Sequence, residues 1–396
     1  MTNWEERFGA SMMRTLAPPL AVLVRGYGCW VWDDKGNRYL DFLAGIAVNS
    51  LGHAHPAVVA AVSEQVGTLA HVSNYFATPP EIELAERLKQ ITGAGDPGRV
   101  FFCNSGAEAN EAAFKLARRN RQNARGDGSR TRILALHNSF HGRTMGSMAL
   151  TGKPQMREPF EPMPGGVEHI DSTIEALERE LDETVAALFV EPVKGEAGVV
   201  DLPDGYLERA RDLCTRHGVL LIIDEVQTGI GRTGAWFAYQ HYGILPDAVT
   251  IAKGLGGGVP IGALVTFGAA SELLTRGQHG STFGGNPLVT ATANAVLDAI
   301  EEENLIANAT ARGEQLREII ARLHSPLITE VRGRGLLLGI GLAEPVALAL
   351  SAAALEAGLI INAANESSIR LAPPLIVGDG ELEEFERRLA QALAAL

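Results

Sequence analysis

From Arg99 onward, short apolar runs alternate with longer stretches whose apolar residues recur at helical spacing. RVFFC (99–103), RILALH (132–137), residues 184–190, VLLII (219–223), DAVTIA (247–252) and GALVTF (262–267) predict strands. The stretch 108–121, with Ala109, Ala112, Ala113, Leu116 and Ala117 on one side, predicts a helix, as does 206–217. VLLII has no polar position, which fits a strand buried on both faces. Strands alternating with helices predict a mostly parallel sheet with helices on both faces. The chain ends read differently. Trp30–Asp33 and Arg38–Leu40 flank the turn DKGN and predict a hairpin. The last hundred residues mix predicted helices (286–303, 311–323, 381–396 and a short buried one over 345–355) with strands near 329–332, 336–341 and 368–371. The expected fold class is α/β: a large domain over residues 50–283, and a smaller α+β domain built from 1–49 and 284–396.

Composition narrows the partners. Among 396 residues, 34 are Lys or Arg and 47 are Asp or Glu, a net charge of −13. Such a surface repels a phosphate backbone, so no nucleic-acid partner is expected, while a local site for a small anion stays open. No uncharged apolar stretch reaches membrane-spanning length. The opening MTNWEERFGASMMRT is acidic and lacks the apolar segment of a secretory signal. Cys29, Cys103 and Cys214 are odd in number and far apart, which argues against a disulfide framework and for a reducing, cytoplasmic setting.

Four polar loops follow predicted strands directly, where open parallel sheets bind ligands. After 99–103 comes NSGAEAN (104–110): Ser105 with Glu108 is a capping-box pattern, either an ordinary helix cap or a phosphate cradle. After 132–137 comes NSFHGR (138–143), whose Phe140 could stack on a planar ring and whose Arg143 could bind a carboxylate; alone, a buried ring and a solvated cation explain it as well. After 219–223 come Asp224 and Glu225, costly to bury without a metal, a cationic cofactor or a salt bridge. After 249–252 comes Lys253, then GLGGG. A lysine ending an apolar strand loses solvation, which favours its neutral, nucleophilic form. The phosphate-loop alternative places Lys after the glycines, and here it precedes them. An anion cradle, a stacking ring, a carboxylate and a desolvated lysine together meet the needs of pyridoxal 5′-phosphate.

The segments DFLAGIAVNSLGHAHP (41–56), FFCNSGAEANEAAFKLAR (101–118), SFHGRTMG (139–146), EPVKGEAGV (191–199), IIDEVQTGIGRTG (222–234), IAKGLGGGVPIGA (251–263) and STFGGNP (281–287) carry a resemblance over essentially the whole chain. The sequence resembles the class III pyridoxal-phosphate aminotransferases, and within them the acetylornithine enzymes. The resemblance implies that Lys253 bonds the cofactor's aldehyde and carries the proton, and that Asp224 pairs with the pyridine nitrogen. It implies that Gln227 meets the ring oxygen, that Phe140 stacks, and that Ser105, Gly106 and Ala107 hold the phosphate. Glu225 and Val226 complete the cofactor loop. Thr282 would reach the phosphate of a neighbouring subunit, which requires a homodimer. Arg143 would take a substrate carboxylate, with Ser281 helping from across the dimer, Arg370 would take a second one, and Glu196 would pair with Arg370. The implied reaction moves the terminal amine of N-acetylornithine to 2-oxoglutarate, in arginine biosynthesis. Ile46 stands where ornithine aminotransferases resemble one another in carrying a tyrosine, and LAPPL (16–20) lacks their tyrosine-bearing pattern. Both departures favour an acylated amine. Ornithine, N-succinylornithine and 4-aminobutyrate remain alternative donors, and a cofactor-binding regulatory protein without activity is the alternative of another class.

Two features read as structural. His53 and His55 lack nearby carboxylates in the sequence and read as turn caps before Pro56, not metal ligands. The arginines 118, 119, 121, 125, 130 and 132 read as a solvated helix end.

Overall fold

A computed structural model describes residues 4–15, 17–121 and 128–396. Its centre is a seven-stranded sheet. In chain order the strands are β1 (Arg99–Cys103), β2 (Arg132–Leu136), β3 (Val167–Ile170), β4 (Val185–Val190), β5 (Leu220–Asp224), β6 (Ala248–Ile251) and β7 (Gly262–Thr266). They lie side by side as β1-β7-β6-β5-β4-β2-β3. All run parallel except β7, which is antiparallel to both β6 and β1. The reason is length: the connection 252–261 is too short to carry a crossover, so the chain must turn back.

Successive residues of the inner strands feed opposite cores. Ile133, Ala135, Ala187, Phe189 and Ile222 pack with Ala112, Ala113 and Leu116 of helix α1 (Gly106–Arg119). Leu134, Leu136, Leu188, Val190, Leu221 and Ile223 pack on the other face, with Tyr206, Leu207, Ala210 and Leu213 of helix α2 (Tyr206–His217). This period-two split explains why these strands are apolar at every position.

The expected hairpin is present as Trp30–Asp33 and Arg38–Asp41, joined by a further strand, Leu23–Tyr27. Leu359–Ile360 pairs in parallel with Arg38–Asp41, so both ends of the chain share one sheet. A second small sheet has the order Ile328–Arg334, Leu337–Leu342, Ser368–Leu371, Asn362–Asn365. The expected helix over 311–323 begins earlier, at Leu305, because Asn304 adopts a left-handed φ of 54° and turns the corner from the helix Pro287–Glu302. Helices Pro56–Thr68 and Pro79–Thr92, which the apolar pattern did not single out, pack against Pro287–Glu302.

The features read as structural need two corrections. His55 does cap its helix, accepting from the Ala57 amide, but each histidine meets a carboxylate from a distant segment: His53 with Asp41 at 2.8 Å and His55 with Glu303 at 3.1 Å. Of the arginine run, Arg125 lies outside the described residues, and Arg130 is buried rather than solvated, bonding the Asn120 side chain and the His217 carbonyl. All three cysteines are buried and free.

Candidate active site

The carboxyl ends of β1, β2, β5 and β6 converge on a cavity of about 440 Å³. Ser105, Gly106, Ala107, Phe140, Arg143, Asp224, Val226, Gln227 and Lys253 line it. Ser105 caps α1, its hydroxyl accepting from the Glu108 amide at 3.1 Å, and Glu108 reaches back to the Asn104 amide at 2.8 Å. The first-turn amides and the dipole of this fourteen-residue helix make one wall electropositive. Gly106 is required there: a Cβ would lie 2.7 Å from Val226 Cγ1.

Asp224, in the same cavity, is buried and held from three directions. Its Oδ2 accepts from the Asn110 side-chain amide at 2.7 Å and meets His141 Nδ1 at 2.8 Å, while Oδ1 accepts from the Val226 amide at 3.0 Å. Asn110 is fixed in turn by the Thr250 hydroxyl at 2.9 Å. Burial opposes charge on His141, but Asp224 outweighs it and holds the imidazole above its ordinary pKa. Glu191, at the end of β4, accepts from the Phe140 amide at 2.9 Å and so fixes the backbone of the ring-bearing loop. Burial pushes Glu191 up to about 7, with His141 opposing the shift and Asp224 adding to it.

Lys253 lines the same cavity, just after the end of β6. Burial first, then the Arg370 charge, lowers its pKa to about 8, against the pull of Glu196, Asp224 and Glu191. Its backbone has a left-handed φ of 43°, a conformation that costs a non-glycine residue energy and recurs at functional positions. An amine of lowered pKa therefore sits in one pocket with a held carboxylate, a ring and a helix N-terminus.

Arg143 lines the cavity with its side chain exposed. The loop after it is pinned by Glu111 of α1, which accepts from the Gly146 and Ser147 amides and the Thr144 hydroxyl. Arg370 and Glu196 lie outside the lining and pair with each other; Arg370 also reaches Gln227 Oε1 at 3.2 Å. Burial would raise the Glu196 pKa, but Arg370, with Lys253 and Lys153 behind it, holds that carboxyl below its ordinary value. Gly195 lets Gln227 approach, since a Cβ there would lie 2.1 Å from its Oε1.

Three candidates sit elsewhere. Glu225 does not line the cavity. As the neighbour of Asp224 it points the other way, accepting from the Thr228 hydroxyl at 2.5 Å and the Tyr239 amide at 2.9 Å. The side chain of Ser281 bonds Asn104 at 3.2 Å and the Gly284 amide at 2.9 Å. Thr282 is exposed, away from the cavity of its own chain. Ile46 is also outside the lining, at 38% exposure, and Leu16 of LAPPL is outside the described residues.

Asn110, Glu191 and the Asp224 contact of His141 are the participants that the sequence reading missed. Glu191 carried a signal, since it follows the apolar run 185–190 as Asp224 follows 219–223. Asn110 is a polar residue at a buried position of a helix whose other buried residues are apolar.

The family model for class-III aminotransferases matches residues 12–393. The chain belongs to that family. This aminotransferase is 53% identical over 389 residues to the acetylornithine aminotransferase of Mycobacterium tuberculosis, covering 98% of this chain and 95% of that protein. Among solved structures, an ornithine aminotransferase from Toxoplasma gondii described with pyridoxal phosphate at its active site matches with a TM-score of 0.92 at 35% identity, over 99% and 94% of the two chains. An N-acetylornithine aminotransferase from Stenotrophomonas maltophilia matches with a TM-score of 0.84 at 38% identity, over 96% of each. The family is pyridoxal-phosphate-dependent, and the fit is local as well: the capped helix suits the phosphate, Phe140 the ring, Asp224 the pyridine nitrogen and Lys253 the aldehyde. The expected fold class, family and cofactor are all borne out.

Proposed function

We propose that this aminotransferase transfers the terminal amine of N-acetylornithine to 2-oxoglutarate, giving N-acetylglutamate semialdehyde and glutamate in a ping-pong cycle, as a cytoplasmic step of arginine biosynthesis. The observation that carries the reading is the state of its two arginines: Arg143 faces the cavity unmasked, and Arg370 is covered by Glu196. A donor with one carboxylate and an acylated α-amine needs the first and leaves the second covered. A dicarboxylate partner needs both, and Glu196 must then move. The 53% identity to an acetylornithine enzyme supports the same donor.

Bound pyridoxal phosphate supplies the electron sink and carries the amino group between the half-reactions. The chain's own residues do the rest. Lys253, neutral in a good fraction of molecules near pH 8, would hold the cofactor through its aldehyde and would take and return the substrate proton. Asp224, locked by Asn110 and His141, would present an anion to the ring nitrogen and favour its protonated form. Gln227 Oε1 is occupied by Arg370, which leaves its amide N–H groups for the ring oxygen. Phe140 would stack on the ring, Ser105 to Ala107 would hold the phosphate, and Arg143, with Ser281 helping from across the dimer, would orient the donor carboxylate.

A homodimer with shared sites is part of the proposal. Thr282 sits beside Phe283, which is 60% exposed and packs on His71; Asn74 holds the Ser281 carbonyl; and Leu69, Tyr75 and Phe76 are exposed on the same segment. An apolar surface of this kind calls for cover, and a second copy would bring Thr282 to the partner's phosphate. The division at residues 49/50 and 283/284 belongs to the same reading.

Donor competition tests it. With N-acetylornithine and ornithine mixed and 2-oxoglutarate fixed, the acetylated donor is expected to be consumed preferentially. Preference for ornithine, N-succinylornithine or 4-aminobutyrate would reassign the substrate, and a cofactor-loaded protein inert to all four would leave only a binding role.

A further inference from the structure

Arg370 is a buried cation whose acceptors are unlike one another. Its Nη1 donates to Glu196 and to Gln227, its Nη2 donates to Asn362 Oδ1 at 2.8 Å, and its Nε is buried without a partner. Glu196 stands on a short turn, Gly195–Ala197, with a quarter of its side chain exposed, and Gln227 stands on the loop after β5. Asn362 differs from both. It lies on the strand Asn362–Asn365, directly opposite Arg370 in the antiparallel register. Arginine and its amide partner are therefore carried by one rigid ladder, while the other two acceptors come from loops of the central sheet.

The charges differ as well. Among the described residues Glu196 is the one carboxylate within ion-pair distance of Arg370. Arginine has donors only, so the amide oxygen of Asn362 must face it. That oxygen orients the guanidinium without cancelling its charge. An aspartate at the same place would orient it and neutralise it.

We infer that Asn362 is a positioning residue that sets the affinity of Arg370 for the second carboxylate of a dicarboxylate substrate. This rests on the reading of Arg370 as a carboxylate site. When an incoming carboxylate displaces Glu196, Nη1 loses its acidic partner, but Nη2 stays fixed to Asn362. The planar fork keeps its orientation and its full charge, and it meets the carboxylate with adjacent N–H donors. Asn362 thus separates the two half-reactions: it acts on the dicarboxylate one, which uses both arginines, and does not act on the donor one, which uses Arg143 without Arg370.

The test uses cofactor-loaded wild type with Asn362→Ala, Asn362→Asp and Arg370→Ala, and glutarate as a dicarboxylate that cannot react. Glutarate affinity is read by calorimetry, and each half-reaction by single-turnover absorbance. Losing one hydrogen bond in Asn362→Ala is expected to weaken glutarate about fivefold. Adding a competing carboxylate in Asn362→Asp is expected to weaken it by about thirtyfold or more. The N-acetylornithine half-reaction stays within about twofold in Asn362→Ala, which changes no charge near Lys253. Unchanged glutarate binding in Asn362→Asp, with binding lost in Arg370→Ala, would overturn the role of Asn362 alone. Binding unchanged in Arg370→Ala would overturn the Arg370 reading as well. An equal fall in both half-reactions, with a lower melting temperature, would show that Asn362 serves only the fold.

Discussion

On the sheet side of the cavity, Asp224 has three donors, one of them itself pinned by Thr250, and every side chain involved is buried: Asp224, Asn110, His141 and Thr250. On the substrate side, Arg143 is exposed, and Glu196 keeps a quarter of its side chain in contact with solvent. The difference follows what each side must do. The sheet side holds one cofactor in one orientation, so it is preorganised by a satisfied network. The substrate side receives two different molecules in turn, so its one strong internal contact, Glu196 with Arg370, is a pair that can be exchanged.

The largest effect comes from breaking the sheet side at its reactive group. Lys253→Ala removes both the nucleophile and the proton carrier. Loss of general acid–base catalysis alone is worth on the order of 10²–10⁴-fold in turnover, and the cofactor's absorbance band should shift with it. Because Asp224 and its partners do not depend on Lys253, the variant is expected to keep the wild-type fold by circular dichroism. A colourless wild type that no added cofactor restores would remove the basis of the comparison.

Breaking the substrate side should do less and do it unevenly. Glu196→Ala uncovers Arg370. The dicarboxylate half-reaction should hold or improve, while the N-acetylornithine half-reaction falls about tenfold, because a bare buried cation then attracts the donor's carboxylate into the wrong register. Single-turnover rates for the two halves measure the ratio directly. A ratio equal to that of wild type would refute the exchange.

The same contrast explains what could be read from the chain alone. The sheet side was legible because its groups follow apolar runs: Lys253 after 249–252, Asp224 after 219–223, Ser105 after 99–103. Adjacency misled once. Asp224 and Glu225 read as a pair, yet neighbouring residues at a strand end point to opposite faces, so one enters the cavity and the other a separate buried site. Glu196 and Arg370 are 174 residues apart, and no local pattern joins them; only the resemblance did. The buried position of Arg130 was equally hidden, since its acceptors, Asn120 and His217, come from segments on either side of it in the chain.

Glu225 sharpens the comparison at the smallest cost to turnover, because it belongs to the buried side and yet touches no substrate. Burial raises its pKa from 4.5 to about 7, against the pull of Thr228 and the amides of Ala238 and Tyr239. Between those pH values the folded protein holds a proton that the unfolded chain has released. Stability from this group therefore falls as pH rises from about 4.5, and the loss is complete above about 7. Glu225→Gln removes the titration. Its amide can still accept from Tyr239 and donate to Thr228 with the hydroxyl reversed. The variant should match wild type near pH 5 and exceed it near pH 8 by about 1–3 kcal/mol in denaturant unfolding, with turnover within about twofold. Glu191, also held near 7, keeps part of the slope in place, so the pH dependence should flatten rather than vanish. If Glu225→Gln lowered stability equally at both pH values, the carboxyl would be serving as a charged acceptor, and Glu225 would belong with Asp224 after all.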